Sequence, residues 1–218
     1  VDTLVRRLAL PGEVVCFWKA GADHEVRVLD VAGAMEVPAD WIRAINRSGS
    51  AVDLAGLRAG MLTVMVEQGH EVILMADGAI DRILTPGRYA FWRPGRELSA
   101  RSVDKRPQEI EINGQEILTR DRVSLRTNAS LQFQIVDSVK ACVETPDCHA
   151  LAYRVVQFAL RRAIGAHTLD ELLADKNRIG DEVEAEVRDA LAGAGLGVSL
   201  VGIKDVVLPG EMKAILNR

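Results

Sequence analysis

One run in the middle of the chain constrains the fold more than any other. From Val123 to Ile135, Val123, Leu125, Thr127, Ala129, Leu131, Phe133 and Ile135 alternate with Ser124, Arg126, Asn128, Ser130, Gln132 and Gln134. Period-two alternation of this length predicts a β-strand with one face on a core and the other in water or against a partner. The residues before it punctuate as β structure too. Val64–Val66 and Val72–Met75 flank a turn at Gln68–His70, and Asp77-Gly78 and Asn113-Gly114 are dipeptides that two-residue hairpin loops favour, because both central residues need positive φ. An antiparallel meander is expected.

Beyond Pro146 the period changes. Ala152, Val155, Val156, Ala159, Leu160 and Ala163 form a helical stripe opposite Arg154, Gln157 and Arg161, and Gly165 is expected to close that helix. Thr168 and Glu171 stand at capping-box spacing and start a second helix. Its stripe runs Leu172, Ile179, Val183, Val187, Leu191 and exits through Gly193, Gly195 and Gly197. A strand near 198–207 follows, and Pro209 suits the first turn of a third helix. The fold class expected is α/β of the α+β kind: a β meander, then two helices and a strand.

A chain of 218 residues can bury a core without metals or disulfides. With 31 acidic against 27 basic residues and a net charge of −4, it lacks the basic surface that nucleic acid requires. Cys16, Cys142 and Cys148 are odd in number and irregular in spacing, which argues against a secreted disulfide framework. The longest apolar stretch, around 61–66, falls far short of the roughly 18–20 residues that span a bilayer. A start at Val1 and an end within a helical pattern at Arg218 lead us to expect a piece of a longer protein.

Compared with itself at an offset of about 75 residues, the chain repeats. Asp2, Arg7, Leu8, Pro11, Gly12, Phe17 and Trp18 fall on Asp77, Arg82, Ile83, Pro86, Gly87, Phe91 and Trp92. Arg27, Leu29 and Asp30 meet Arg101, Val103 and Asp104, and Met35-Glu36-Val37 meets Ile110-Glu111-Ile112. The domains expected are therefore a partial copy of a small β domain at 1–60, a complete domain at 61–208, and the start of a C-terminal helix at 209–218.

No catalytic, cofactor-binding or metal-binding residue is assigned. His24, His70, His149 and His167 lie in no catalytic motif, and His70 and His167 suit turn and capping positions. The spacing of Cys142, Cys148 and His149 departs from zinc sites, so buried or half-buried thiols are expected, with Cys16 in the core. Gly193 to Gly197 follows a helix, whereas a phosphate-binding loop precedes one. Asp170, Glu171 and Asp175 in the first turns of a helix are accounted for by its dipole.

From about Met61 onward the chain resembles the slipin branch of the stomatin and prohibitin proteins, the SPFH or band 7 superfamily. The resemblance rests on Leu84-Thr85-Pro86-Gly87-Arg88-Tyr89-Ala90-Phe91-Trp92 after the Asp77-Gly78 turn and on Gln115-Glu116-Ile117-Leu118-Thr119-Arg120-Asp121. The long alternating strand, Arg161–Gly165 with Thr168–Leu173, and Ile203–Lys213 complete it. It implies a bacterial, non-enzymatic membrane scaffold that self-assembles into a ring or cage and organises a membrane microdomain with its clients. It also implies a coiled-coil helix after Pro209, lipid contact through an N-terminal segment absent from this sequence, and a place on the cytoplasmic face of the cell membrane. A membrane-bound protease is a further implied partner, and for Cys16 an acylated thiol is the implied alternative to a place in the core. The alternative is an adaptor that presents clients to such a protease or a channel without closing a ring. Two surfaces draw attention. Arg88, Phe91, Trp92, Arg93 and Arg96, near Arg101, Lys105 and Arg106, are candidate membrane-facing residues, since Lys and Arg favour anionic leaflets and Trp the headgroup zone. A solvated loop with its aromatics in a β core stays open as the other reading. The charged helix from Asp175 to Arg188 either pairs with a neighbouring protomer or is simply solvated.

Overall fold

The computed structural model describes residues 9, 13–16, 26, 31, 35–48 and 59–207. The first copy of the repeat, from Asp2 through Trp18 and on to Asp30, falls almost entirely outside them, as do residues 209–218. The chain divides into two units, 1–102 and 103–218.

The first unit contains α1 (Ala39–Ser48), β1 (Met61–Val66), β2 (His70–Ala76), β3 (Ala79–Leu84), β4 (Gly87–Trp92) and most of β5 (Leu98–Asp104), which runs across the boundary. Asp77 and Gly78 take φ of 53° and 80° and join β2 to β3 as the expected tight hairpin. The turn at 68–70 is not a hairpin, because β1 pairs antiparallel with β4, while β2 lies between β3 and β5. The register Leu62↔Phe91 and Val64↔Tyr89 puts Leu62, Val64, Val66, Tyr89 and Phe91 on one side of the β1–β4 ribbon. That side packs on Val72, Leu74, Leu84 and Leu98. The other side carries Met61, Ala90 and Trp92, which pack with Val37 against Trp41, Ile42 and Ile45 at the start of α1. Residues 35–37 hydrogen-bond the free edge of β4, Val37 N–H donating to Ala90 O and Trp92 N–H to Met35 O, both at 2.8 Å. The Tyr89 ring folds back over Gly87, where a Cβ would stand 3.3 Å from it. A side chain at this position would have to push that ring aside by a few tenths of an ångström.

The second unit holds an antiparallel sheet in the order β6 (Gln108–Leu118), β7 (Ser124–Ile135), β8 (Leu196–Val207). A single π-turn at Lys140–Glu144 precedes α2 (Cys148–Ala166), α3 (Leu169–Ala174) and α4 (Lys176–Ala192). β7 is the alternating strand: Leu125, Thr127, Ala129, Leu131, Phe133 and Ile135 are buried, and Arg126, Gln132 and Gln134 are exposed. Buried stripes on α2 (Ala152, Val156, Ala159, Leu160, Ala163) and on α4 (Ile179, Val183, Val187, Leu191) cover the apolar face.

Three expectations change in this unit. Asn113-Gly114 is a bulge inside β6: only Gly114 has positive φ (66°), and its N–H donates to Asn128 Oδ1 at 2.7 Å while pairing with β7 resumes beyond it. Gly165 lies within α2, which ends at His167 where the cap N–H donates to Ile164 O. The helix expected from Thr168 to Leu191 is two helices, because Asp175 takes a non-helical backbone and accepts from Arg178 N–H, capping α4 afresh. Gly195 (φ 73°) then turns the chain into β8. A Cβ there would stand 2.6 Å from Asp137 O, so only glycine allows this approach.

Candidate functional site

Two of the sequence motifs meet in space. The turn after β6 is held by Thr119, whose N–H donates to Val123 O at 3.0 Å and whose hydroxyl accepts from Val123 N–H at 2.9 Å. The same hydroxyl donates to the Asp121 carboxylate. Asp121 in turn accepts from Leu169 N–H at 3.2 Å, in the first turn of α3. Arg120 reaches the same place from the other side of the turn. Its N–H donates to His167 O at 2.9 Å, and its guanidinium donates to Glu171 at 2.9 Å and to Ala166 O at 3.4 Å. Thr168 and Glu171 close the capping box, Glu171 N–H donating to Thr168 Oγ1 and Thr168 N–H to Glu171 Oε2.

Electrostatics follow from these bonds. The Thr119 hydroxyl, with help from the Leu169 amide and Arg120, holds Asp121 below the usual carboxylate range. The Thr168 backbone amide, then Arg120, does the same for Glu171. Carboxylates kept ionised by fixed donors are poor general acids. The junction ties the end of the sheet to the start of the α3–α4 pair.

A groove of about 410 Å³ opens beside this junction between β8, α3 and α4, with Leu125, Ile164, Leu172 and Ile179 beneath Asp181, Glu184, Leu200 and Lys204. β8 is an edge strand, and its outward Val201 N–H donates to Glu184 Oε2 at 3.3 Å. Lys204 crosses the polar face of the sheet to Glu111 at 2.8 Å and lowers the pKa of that carboxyl. No feature of the sequence pointed to this groove, since the elements lining it are brought together only by tertiary packing.

The candidate membrane-facing residues separate. Phe91 and Trp92 are 0% and 4% exposed, so neither ring is available to a headgroup layer. Arg88 lies opposite Met65 at one end of the β1–β4 ribbon and is exposed, as is Arg93, which follows Trp92 at the other end. Five strand residues put them about 17 Å apart. Arg96, in the turn after β4, is half-buried. Lys105 donates to Val136 O at 3.0 Å, and Arg106 is paired with Asp104 at 2.6 Å. Within the first unit, Arg88 and Arg93 are close in sequence and apart in space.

Among the described residues no cluster of His, Cys, Asp and Glu could hold a metal ion. Cys148 is buried, and burial raises its thiol pKa; Cys142 is half-buried. Cys16, expected in the core, is exposed. The His167 Nδ1 lies 2.8 Å from Ala163 O, and His149 stands edge-on to Phe133 with ring centroids 5.4 Å apart. The described helices include none long and apolar enough to cross a membrane.

Residues 64–218 match the SPFH domain / Band 7 family. A stomatin homologue of Pyrococcus horikoshii is 30% identical over 162 residues, covering 67% of this chain and 61% of that protein. A stomatin homologue of Pyrococcus abyssi is also 30% identical, covering 67% of this chain and 60% of its own length. Human stomatin-like protein 3 is 32% identical over 51% of this chain and 38% of its own. The chain thus spans about 60% of the length of the first two relatives.

Proposed function

The chain belongs to the SPFH domain / Band 7 family, and from that premise we propose that it is a membrane-associated, non-enzymatic scaffold that assembles into a ring or cage and organises a membrane microdomain with its client proteins. The observation that carries this reading is what the family-like motifs do. Thr119, Arg120, Asp121, Thr168 and Glu171 bond one another and the backbone, so their chemistry holds sheet to helices. Groups arranged this way serve a framework that presents surfaces.

The groove at the edge of β8 favours a second reading, an adaptor that holds a client segment for a membrane protease without closing a ring. Fractionation of the natural protein tests the part common to both: recovery with membranes is expected, and recovery in the supernatant at low and high salt alike opposes it. Steady turnover of ester or peptide substrates that a single Ser or Cys substitution abolishes would overturn the non-enzymatic part.

The proposal extends to lipid contact by the two exposed arginines. Each basic group near an anionic leaflet contributes about 1 kcal/mol. Charge reversal at Arg88 and Arg93 is expected to lower binding to phosphatidylserine vesicles by about tenfold or more. Unchanged vesicle pelleting removes these residues from the membrane contact.

A further inference from the structure

Helix α2 contains no carboxylate. Its charged residues are Arg154, Arg161 and Arg162, and Arg162 is paired with Glu186 of α4 at 3.1 Å. Arg154, Phe158 and Arg161, at i, i+4 and i+7, share the side opposite the buried stripe and are exposed. Phe158 is 59% exposed, a large aromatic surface held open between two cations.

Helix α4 presents the counterpart. Opposite Ile179, Val183, Val187 and Leu191, its exposed side carries Asp181, Ala185 and Asp189 at i, i+4 and i+8. Arg178 and Arg188, which neighbour them, are held by Glu182 at 3.3 Å and Glu184 at 2.6 Å. Asp181 and Asp189 make no ion pair among the described residues. Along the helix axes the arginines are about 10 Å apart and the aspartates about 12 Å. In each case the middle position is apolar, large on α2 and small on α4.

We propose that this pair of faces is a contact between copies of the chain: the α2 face of one copy seats on the α4 face of another, Phe158 over Ala185, with Arg154 and Arg161 against Asp181 and Asp189. Charge complementarity selects the occupant, because the cationic stripe and an acidic stripe of matching spacing lie on the same chain. An anionic lipid surface would satisfy only the first. The inference rests on the self-assembling scaffold reading and names surfaces for it.

Sedimentation equilibrium of the chain, from about 10 µM to about 1 mM and at low and high salt, tests it. Self-association that weakens with salt is expected. R154E/R161E and D181R/D189R should each weaken it by about tenfold or more, and the four substitutions combined in one chain should restore it to within about threefold, because the charges are exchanged rather than lost. Phe158→Ala should weaken it without changing the salt dependence. Circular dichroism melts verify that the variants fold. A chain monomeric throughout, association indifferent to both reversals, or a combined variant that stays dissociated overturns the contact. Natural protein carrying R154E/R161E that still forms rings would remove this contact and leave the scaffold standing. Charge-rescued association in a protein that forms no rings would do the reverse.

Discussion

Strand β4, flanked by β1 and by residues 35–37, and strand β7, between β6 and β8, are buried differently. β4 has Phe91 packed on one side and Trp92 on the other. β7 buries one face beneath the helices and leaves Arg126, Gln132 and Gln134 in solvent. The double cover of β4 is local to the β1–β4 ribbon, since β3 is exposed from Ala79 to Ile83. A strand covered once leaves a whole sheet face, and the helices that cover it present another. A broad open sheet face therefore belongs to the second unit, and the described part of the first is packed on both sides only at the β1–β4 ribbon.

Substitutions can break that contrast. Trp92→Ala removes the ring that meets Trp41 edge-on at 6.4 Å, and it should cost about 3–5 kcal/mol in chemical denaturation. Were β4 covered on one side only, the loss would be no larger than for an exposed residue. Gly195→Ala should cost about 1–3 kcal/mol, since it combines positive φ with a backbone clash at Asp137; an unaltered midpoint would mean that the turn into β8 is looser than described. D121N/E171Q probes the junction through pH. Both folded pKa values are lowered from 3.8 and 4.5. The stabilisation is therefore full above those values and is lost as pH falls through the lower folded ones. Thermal melts should show the double variant less stable at pH 7 and indistinguishable from the parent well below pH 4, and a pH-independent gap would contradict the bonding. Gln132→Ala, on the open face of β7, should stay within about 0.5 kcal/mol.

How much was legible in the sequence follows from the range of each interaction. β7 and the Thr168–Glu171 capping box could be read because alternation and a cap are settled within a few residues. Asn113-Gly114 was ambiguous for a physical reason: positive φ at glycine serves a hairpin and a bulge alike, and only continued pairing with β7 decides between them. The partner of β1 is a long-range choice, so the turn at 68–70 looked like a hairpin and is a crossing between sheets. α1 was not anticipated, although Trp41, Ile42 and Ile45 have helical spacing. The junction of Thr119–Asp121 with His167–Glu171 joined two motifs that sequence gives only in order. The basic run shows the opposite case, because neighbours along a strand point to opposite faces and Arg88 and Arg93 stand at opposite ends of the β1–β4 ribbon.

The most direct test of the scaffold is the shape of its assembly. The natural protein, extracted from membranes in mild detergent and viewed by negative-stain electron microscopy, should form closed rings or cages many subunits across. A uniform field of small discrete complexes would contradict the scaffold and leave the adaptor in its place.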